Sequence, residues 1–332
     1  MHKLKSLCHL ALEPSGYNSG FVALSSTGYV SHANFMARVQ DWHCFFQGLS
    51  GNNFALSLDD AAEFATALLG AWHAKKIITL PGDKLPSTLK QLSAMVDASV
   101  GELPSAIAVP AIGFSTATAL LNNIDSESLA LNIFTSGSTG EPCAIEKKIG
   151  QLDAELRALE ACFGQIAGDA VIYGTVSHQH IYGLLFRVLW PLASGRVFYT
   201  QRLEYPEQIA KQLAGKPSVL ISSPALLKRL PDNLDWRAMS QHLSAVFSSG
   251  GPLSAESADK VTQLWHKRPI EVFGSSETGG IAWRQSENGS SSWQPLPGVE
   301  WRLLDEHLQI RSPHLPNDLW FVTQDRAALR DG

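Results

Sequence analysis

The sequence has few cysteines, no long apolar run and little charge imbalance, and each scarcity argues against a class of protein. Only four of its 332 residues are cysteine, with no C-x-x-C pair, which argues against a disulfide framework or zinc knuckle and favours the reducing cytoplasm. No apolar run reaches the about 20 residues that a membrane span needs. Acidic residues outnumber basic ones by 31 to 26, which argues against a nucleic-acid-binding surface.

The chain also lacks the common sequence signatures of secretion and of nucleotide binding. The start, "MHKLKSLCHLALEP", is too short and too polar for a signal peptide. No Gly-Lys-Ser/Thr follows the glycines of a loop, as a Walker A motif requires, and no G-x-G-x-x-G is present. A P-loop NTPase and a Rossmann dinucleotide site are therefore unsupported.

Helical and strand patterns alternate along most of the chain. "SLDDAAEFATALLGAWHAKK" has helical spacing, with Ser57 or Asp59 as the expected cap, and "KIITLPGD" follows as a buried strand. The alternation resumes near residue 150 and continues to about residue 280, which predicts mostly parallel sheets covered by helices.

Beyond about residue 280 the pattern changes to short strands separated by Gly, Pro, Asn and Ser, which predicts an antiparallel, barrel-like piece. We therefore expect an α/β protein with two doubly wound, mostly parallel subdomains, 1–130 and 131–280, and a small β-rich subdomain, 281–332.

A loop rich in small hydroxyl residues interrupts the apolar run in "IFTSGSTGEP", residues 133–142. Hydroxyls and backbone N–H groups in such a loop can converge on an anion, and glycines let the backbone approach it closely. Taken alone, the loop is equally compatible with a phosphate cradle and with a plain connector. Its candidate residues are Thr135, Ser136, Gly137, Ser138, Thr139 and Gly140.

Three further polar segments follow predicted strands. "SSGGPLS" contains two glycines and a proline, "VFGSSETGG" contains Glu277, and "FVTQDRAALRDG" contains Asp325. Since open α/β sheets bind ligands at the carboxyl ends of their strands, these segments are candidates for one shared site.

In this order the segments resemble the motifs of the adenylate-forming superfamily, which includes acyl- and aryl-CoA synthetases, nonribosomal adenylation domains and firefly luciferase. "FTSGSTGEP" is similar to its phosphate loop, "HIYG" to its acyl-pocket histidine motif, and "SSGGPL" to its adenine-side loop. "FGSSE" resembles its Tyr-Gly-x-Thr-Glu motif, and "HLQIRSP" and "FVTQD" resemble its late core motifs. The resemblance runs from about residue 22 to residue 332, and its texture is nearest to the short bacterial ligases of aryl polyene and fatty-acid-like pathways.

The resemblance implies an AMP-forming acid:thiol ligase. Such an enzyme joins a carboxylic acid to ATP, releases pyrophosphate, and transfers the acyl group to the thiol of CoA or of a carrier-protein phosphopantetheine. It implies ATP and Mg²⁺ as cofactors and an aryl or medium-chain acid as substrate, with an acyl carrier protein as an alternative acceptor.

The resemblance also implies a role for each candidate residue. Thr135, Glu277 and His180 would be catalytic: Thr135 donates to phosphate, Glu277 holds Mg²⁺, and His180 borders the acyl pocket. The remaining residues would hold the nucleotide: Ser136, Gly137, Ser138, Thr139 and Gly140 at the phosphates, Gly250, Gly251, Pro252 and Phe273 at adenine, Gly274 and Ser275 in the same motif as Glu277, Ser276 at the α-phosphate or the metal, and Asp325 at the ribose.

Each candidate has a purely structural alternative: a Ser/Thr-rich turn, a solvated glutamate, a strand-end aromatic, a surface salt bridge or a packed core histidine. His178 forms an H-x-H pair with His180, but no further Cys or Asp partner lies nearby, so a zinc site is disfavoured. Trp190 and Trp283 are expected in the core. Lys147 and Lys148 are expected to form a solvated pair, unless one of them reaches a phosphate.

The sequence also departs from the family pattern. Cys143 follows Pro142 where the family has lysine, and Gln324 replaces a glycine. The chain ends just before the family's hinge motif, so the small C-terminal lid with its lysine is expected to be absent, either because the sequence is truncated or because the lid is supplied in trans, with weak or no turnover. The alternative to a ligase is a non-catalytic nucleotide-binding sensor or scaffold.

Overall fold

The structure is a computed structural model that describes residues 4–10, 20–113, 121, 123–135, 143–286 and 292–329. Its strands are β1 (Phe21–Ser25), β2 (Gly28–Ser31), β3 (Asn53–Ser57), β4 (Ile77–Leu80), β5 (Ala98–Gly101), β6 (Leu129–Thr135), β7 (Cys143–Lys148), β8 (Val171–Gly174), β9 (Phe198–Tyr199), β10 (Ser218–Ser222), β11 (Leu243–Ser248), β12 (Ile270–Ser275), β13 (Gly279–Arg284), β14 (Gln294–Pro295), β15 (Glu300–Leu304), β16 (His307–Arg311) and β17 (Phe321–Arg326).

The helices separate these strands as the alternating pattern predicts. They are α1 (His32–Gly48), α2 (Ala61–His73), α3 (Pro86–Leu92), α4 (Ile149–Ala167), α5 (Ile181–Gly183), a π-helical segment (Leu184–Leu189), α6 (Trp190–Ser194), α7 (Pro206–Gln212), α8 (Pro224–Leu227), α9 (Arg237–Ser240) and α10 (Ala255–Trp265). Within the described ranges, none of them combines the length and the apolar character needed to cross a membrane.

The fold divides into two compact units, each of which is discontinuous in sequence. The first unit contains Ala154–Val176 and Leu203–Gly332, and the second contains Lys3–Asp153 and Ser177–Arg202. The three-part division at residues 130 and 280 stays a prediction.

The second unit contains a five-stranded sheet in the order β5-β3-β4-β6-β7. The first four strands are parallel, and β7 returns antiparallel to β6. In the same unit β1 pairs parallel with β9 and antiparallel with β2. The predicted helix-to-strand unit is therefore confirmed as α2 and β4, both of which are largely buried.

The amino-terminal cap of α2 differs from the prediction. Asp60, not Ser57 or Asp59, accepts the backbone N–H groups of Ala62 and Glu63. Ser57 cannot serve as the cap because it is the last residue of β3 and is fully buried. A polar residue at a strand end and a capping residue look alike in sequence, and the position of the strand decides between them.

The first unit contains parallel strands β8, β10, β11 and β12, which are extended by antiparallel β13 and β14. One face of the sheet packs on α4, where the ring of Phe163 lies 5.0 Å from that of Phe247 and 5.5 Å from that of Trp283. Parallel pairing requires such coverage because the strands are apolar on that face.

The final strands form a separate three-stranded antiparallel sheet in the order β15-β16-β17. The predicted mixed α/β class, with parallel sheets and an antiparallel end, is confirmed. The expectation of a barrel-like end needs correction, since the strands of the described residues form an open sheet here. Three short strands are too few to curve back and pair with their own edge.

Candidate functional site

The first unit brings the glycine loop and the Glu277 turn to one edge of its sheet. Gly250 and Gly251 follow β11, and Phe273 lies near the end of its parallel neighbour β12. Parallel strands present their carboxyl ends at the same edge, so the two segments are neighbours. Gly250 has φ +83° and Gly251 has φ +157°, conformations at which a residue with a Cβ is strained.

Glu277 lies at the tip of the tight turn between β12 and β13, and its side chain is exposed. The Ser275 N–H donates to Thr278 Oγ1 at 3.0 Å, and the Thr278 N–H donates back to Ser275 Oγ at 3.3 Å. The two hydroxyls lie 3.1 Å apart. The turn therefore holds its own shape by side-chain to backbone bonds and presents Glu277 outward.

A buried glutamate that the sequence did not point out supports this turn from α4. Glu155 is 3% exposed, and its Oε2 accepts the Gly280 N–H at 3.0 Å. Gly279 adopts φ +68°, and a Cβ there would lie 2.5 Å from Glu155 Oε1. Any other residue would be strained at this φ and would have to displace the carboxylate. The pattern of α4 in the sequence could not reveal the role, because nothing in helical spacing connects residue 155 with residue 280.

Glu277 fits the Mg²⁺ that the resemblance implies. A carboxylate is a hard oxygen ligand, and protein-bound Mg²⁺ usually takes one or two carboxylates and completes its shell with nucleotide phosphates and water. Among the described residues no group of three or more His, Cys, Asp or Glu side chains could hold a metal by itself.

Asp325 belongs to the same unit. The sequence pattern predicted that it follows a strand, but it lies within β17. Its side chain is exposed, and its backbone N–H donates to Thr323 Oγ1 at 3.1 Å. A further contact joins the segment after β16 to β13: His314 Nδ1 lies 3.0 Å from the Gly280 carbonyl oxygen. Gly280 thus bonds to Glu155 through its N–H and to His314 through its carbonyl.

The second unit carries the remaining candidates. Thr135 is the last residue of β6, and its backbone pairs with Cys143 at the start of β7. Ser136, Gly137, Ser138, Thr139 and Gly140 lie outside the described residues, so their roles stay predictions. His180 is the residue before α5 and is exposed.

The surroundings of His180 lower its pKa. Partial burial of the ring is the largest cause, Asp83 opposes it, and Arg202 adds to it. A histidine that is mostly neutral at pH 7 suits a wall of an acyl pocket better than a cation would, since a fixed charge beside an acyl chain is costly.

The two side chains that precede His180 both bond the backbone carbonyl of Leu58. His178 Nε2 and Gln179 Nε2 lie 2.8 and 3.2 Å from the Leu58 carbonyl oxygen. Because that oxygen can only accept, His178 Nε2 carries a proton. Burial and Arg187 lower the pKa of His178 to about 3, so the ring stays neutral. His178 is thus a buried structural histidine.

The burial of two tryptophans agrees with expectation, whereas that of one of two lysines does not. Trp190 is fully buried, as predicted, and Trp283 is half-buried against Phe163. The expected solvated lysine pair is wrong for Lys147, which is 1% exposed, whereas Lys148 is exposed and bonds Glu127 at 2.8 Å. Successive side chains of β7 point to opposite faces, so only one of two adjacent lysines can face solvent.

Of the predicted site residues, the structure brings together those at the edge of the first unit's sheet: Gly250, Gly251, Pro252, Phe273, Gly274, Ser275, Ser276 and Glu277. Asp325 lies elsewhere in that unit, and Thr135 and His180 belong to the second. One crevice that unites all of them stays a prediction.

The structure defines a mixed α/β fold with two turns at the carboxyl edge of one sheet, and comparison with known proteins identifies its family. Residues 65–322 match the AMP-binding enzyme family. The chain belongs to this family.

Two curated relatives are similar to the chain in sequence. The chain is 27% identical to a 4-coumarate–CoA ligase of Cereibacter sphaeroides over 50% of its own length and 39% of that protein. It is 26% identical to the putative long chain fatty acid-CoA ligase VraA of Staphylococcus aureus, over 60% of its own length and 47% of that protein. The chain thus spans less than half the length of these curated relatives.

The fold itself is also that of a solved structure, ATP-bound MatB from Rhodopseudomonas palustris. The TM-score is 0.76 at 17% sequence identity, and the match covers 94% of this chain and 71% of MatB. The likeness establishes the fold.

Proposed function

We propose that this chain is the nucleotide- and acid-binding part of an AMP-forming acid:thiol ligase. Such an enzyme activates a carboxylic acid with ATP as an acyl-adenylate and passes the acyl group to CoA. One observation carries the proposal: an exposed carboxylate on a self-bonded turn stands beside a glycine loop at the carboxyl edge of parallel strands, within the family-matched region.

The chemistry of adenylation explains why these groups are needed. A carboxylate must approach the α-phosphorus of a polyanion, so the site has to orient both reactants and offset the negative charge that develops. Glu277 would hold the Mg²⁺ that supplies this positive charge. Ser276, with a half-exposed side chain beside it, would donate its hydroxyl to phosphate.

The other candidates would orient the two substrates. Phe273 and the backbone of Gly250 and Gly251 would enclose adenine, and Asp325 would accept both ribose hydroxyls. Thr135 and the loop after it would donate to the β- and γ-phosphates, and His180 would border the acid.

The acid is proposed as aryl or medium-chain. The small residues Gly279 and Gly280 beside the turn do not form the acid pocket, because a Cβ at Gly279 would lie 2.5 Å from Glu155 and one at Gly280 would lie 2.6 Å from Leu296. The relatives include both a 4-coumarate–CoA ligase and a putative long chain fatty acid-CoA ligase, which supports either an aryl or an alkyl acid as the substrate. A carrier-protein thiol as acceptor in place of CoA remains part of the proposal.

Calorimetric titration of the 332-residue chain with ATP, with and without Mg²⁺, tests the function directly. We expect saturable binding that Mg²⁺ strengthens, and a tighter complex with a non-hydrolysable acyl-adenylate analogue. Glu277→Gln should remove the Mg²⁺-dependent gain and keep metal-free binding, because the amide retains the size of the side chain but not its charge.

Glu300→Gln is the matched control, since Glu300 is an exposed glutamate of the same unit in the three-stranded sheet. It should bind as the native chain does. Absence of binding to both ATP and the acyl-adenylate analogue would refute the proposed function.

A further inference from the structure

Trp293 is an exposed aromatic side chain that contacts Phe273 and Arg284. Alternation along β12 and β13 separates their side chains into two faces. Val272 and its partner Trp283 belong to the face that packs on α4, where Trp283 meets Phe163. Glu271, Phe273 and Arg284 belong to the opposite face. That face carries the predicted adenine-stacking residue.

Trp293 joins this second face and is held there. The Arg284 guanidinium carbon lies 4.4 Å from the centre of the Trp293 ring, and the Trp293 and Phe273 ring centres are 5.5 Å apart at 49°. Trp293 is nevertheless 41% exposed. Arg284 and Phe273 therefore both contact the indole while part of its surface stays open to solvent.

A buried carboxylate connects this aromatic pair with the glycine loop. Glu271 is 5% exposed and binds Arg284 through two bonds, Nε to Oε1 at 2.9 Å and a second guanidinium N–H to Oε2 at 3.0 Å. Glu271 Oε2 also lies 3.4 Å from the backbone N–H of Leu253, which ends the loop of Gly250 and Gly251. The Glu271–Arg284 ion pair therefore contacts the end of the glycine loop through Glu271 and the indole of Trp293 through Arg284.

We propose that Trp293 is a nucleobase-contacting residue that extends the Phe273 wall, and that the Glu271–Arg284 pair positions it. The inference rests on the proposed function, because it names a further contact of that nucleotide site. An exposed aromatic ring that Arg284 and Phe273 contact suits a flat purine, since stacking on it buries apolar area and these contacts already restrict the side chain.

The test separates contact with the base from contact with the phosphates. The 332-residue chain and its Trp293→Ala variant are titrated calorimetrically with Mg·ATP and with Mg·tripolyphosphate, which carries the phosphates but no base. Trp293→Ala should weaken ATP binding about tenfold, the scale of one lost base stack, and leave tripolyphosphate binding unchanged. Trp293→Phe should restore most of the ATP affinity.

Two further variants complete the test: Trp301→Ala is a control, and Arg284→Met tests the positioning role of the ion pair. Trp301→Ala removes another exposed tryptophan of the same unit, in the three-stranded sheet, and should leave the affinities for both ligands as they are. Arg284→Met keeps an unbranched stem but shortens the side chain and removes its charge, and should weaken ATP binding less than Trp293→Ala while leaving tripolyphosphate binding unchanged.

Each outcome decides something. Equal ATP affinity in the native chain and in Trp293→Ala, or equal losses for ATP and tripolyphosphate, would overturn the Trp293 proposal while the proposed function stands. A native chain that binds neither ligand would overturn the proposed function and this inference with it.

Discussion

The two units support their candidate residues with different buried groups: carboxylates in the first unit and neutral hydrogen-bond donors in the second. In the first unit, buried carboxylates accept backbone N–H groups: Glu155 from Gly280 and Glu271 from Leu253. In the second unit, neutral donors, His178 and Gln179, bond the Leu58 carbonyl. A buried carboxylate makes strong charge-assisted bonds but is costly to bury, whereas a neutral histidine costs less until protonation places a charge in its buried position.

The largest expected effect is acid destabilisation through His178. Its folded pKa of about 3 lies below its ordinary value of 6.5, owing first to burial and then to Arg187, with Leu58 and Asp59 opposing and Arg202 adding. The unfolded chain binds this proton first, so stability is fully present above pH 6.5. It falls as pH drops from 6.5 towards 3, by up to about 1.4 kcal/mol per pH unit.

Urea unfolding at a series of pH values between 7 and 4 measures this slope. His178→Gln, which keeps an amide donor for Leu58 but cannot titrate, should flatten it. His9→Gln changes an exposed histidine of the same unit and should leave it unaltered. An equal slope in the native chain and in His178→Gln would show that His178 does not carry the effect.

The second effect sharpens the first unit's side of the comparison. Gly279→Ala should destabilise the chain by about 2–4 kcal/mol, because the new Cβ combines left-handed strain with overpacking against Glu155. Gly250→Ala at φ +83° meets nothing within 4 Å, so it should cost only the strain, about 1–2 kcal/mol. Thermal or urea unfolding measures both.

A double-mutant cycle then identifies Glu155 as the obstacle. Adding Glu155→Ala to Gly279→Ala removes the carboxylate that the new methyl meets, so the double variant should be more stable than the sum of the single changes predicts. Strict additivity would place the clash elsewhere.

A smaller effect is expected when Glu155 is changed by itself. Glu155→Ala leaves the Gly280 N–H without its acceptor and should cost about 1–3 kcal/mol, while Glu155→Gln retains an acceptor oxygen and should lose less. If the two variants are equally stable, the bond to Gly280 contributes little to the turn.

The smallest effect concerns His180, and NMR titration of its ring protons measures it. Asp83 raises the pKa of His180 against the effect of burial. Asp83→Asn should therefore lower that pKa further, and Arg202→Gln should raise it. Shifts of the same sign in both variants would contradict the electrostatic account of this histidine.

The periodic parts of the fold could be predicted from the sequence. The helical pattern gave α2 and α4, and the buried runs gave β10, β11 and β12, because amphipathic spacing reports directly on a buried face. Periodicity could not predict the cap of α2, which depends on where β3 ends. It also could not predict the burial of Lys147, which depends on the direction in which the side chains of β7 alternate.

The candidate site divides in the same way. The loops with small residues and Glu277 were recognisable because turn chemistry is local: glycines and hydroxyls occupy adjacent positions. Glu155 and Trp293 were not, because each gains its meaning from a partner that strand pairing or helix packing brings to it. No spacing rule relates residue 155 to residue 280, which lie 125 positions apart.

The sequence by itself determined the class of the fold, the alternation of its elements and the small-residue turns at the strand ends. These properties follow from local conformational preference and from the apolar face of each element. The tertiary structure alone decided which buried charges support those turns and which aromatic ring stands beside Phe273. Those contacts depend on the register of neighbouring strands, which no single segment encodes.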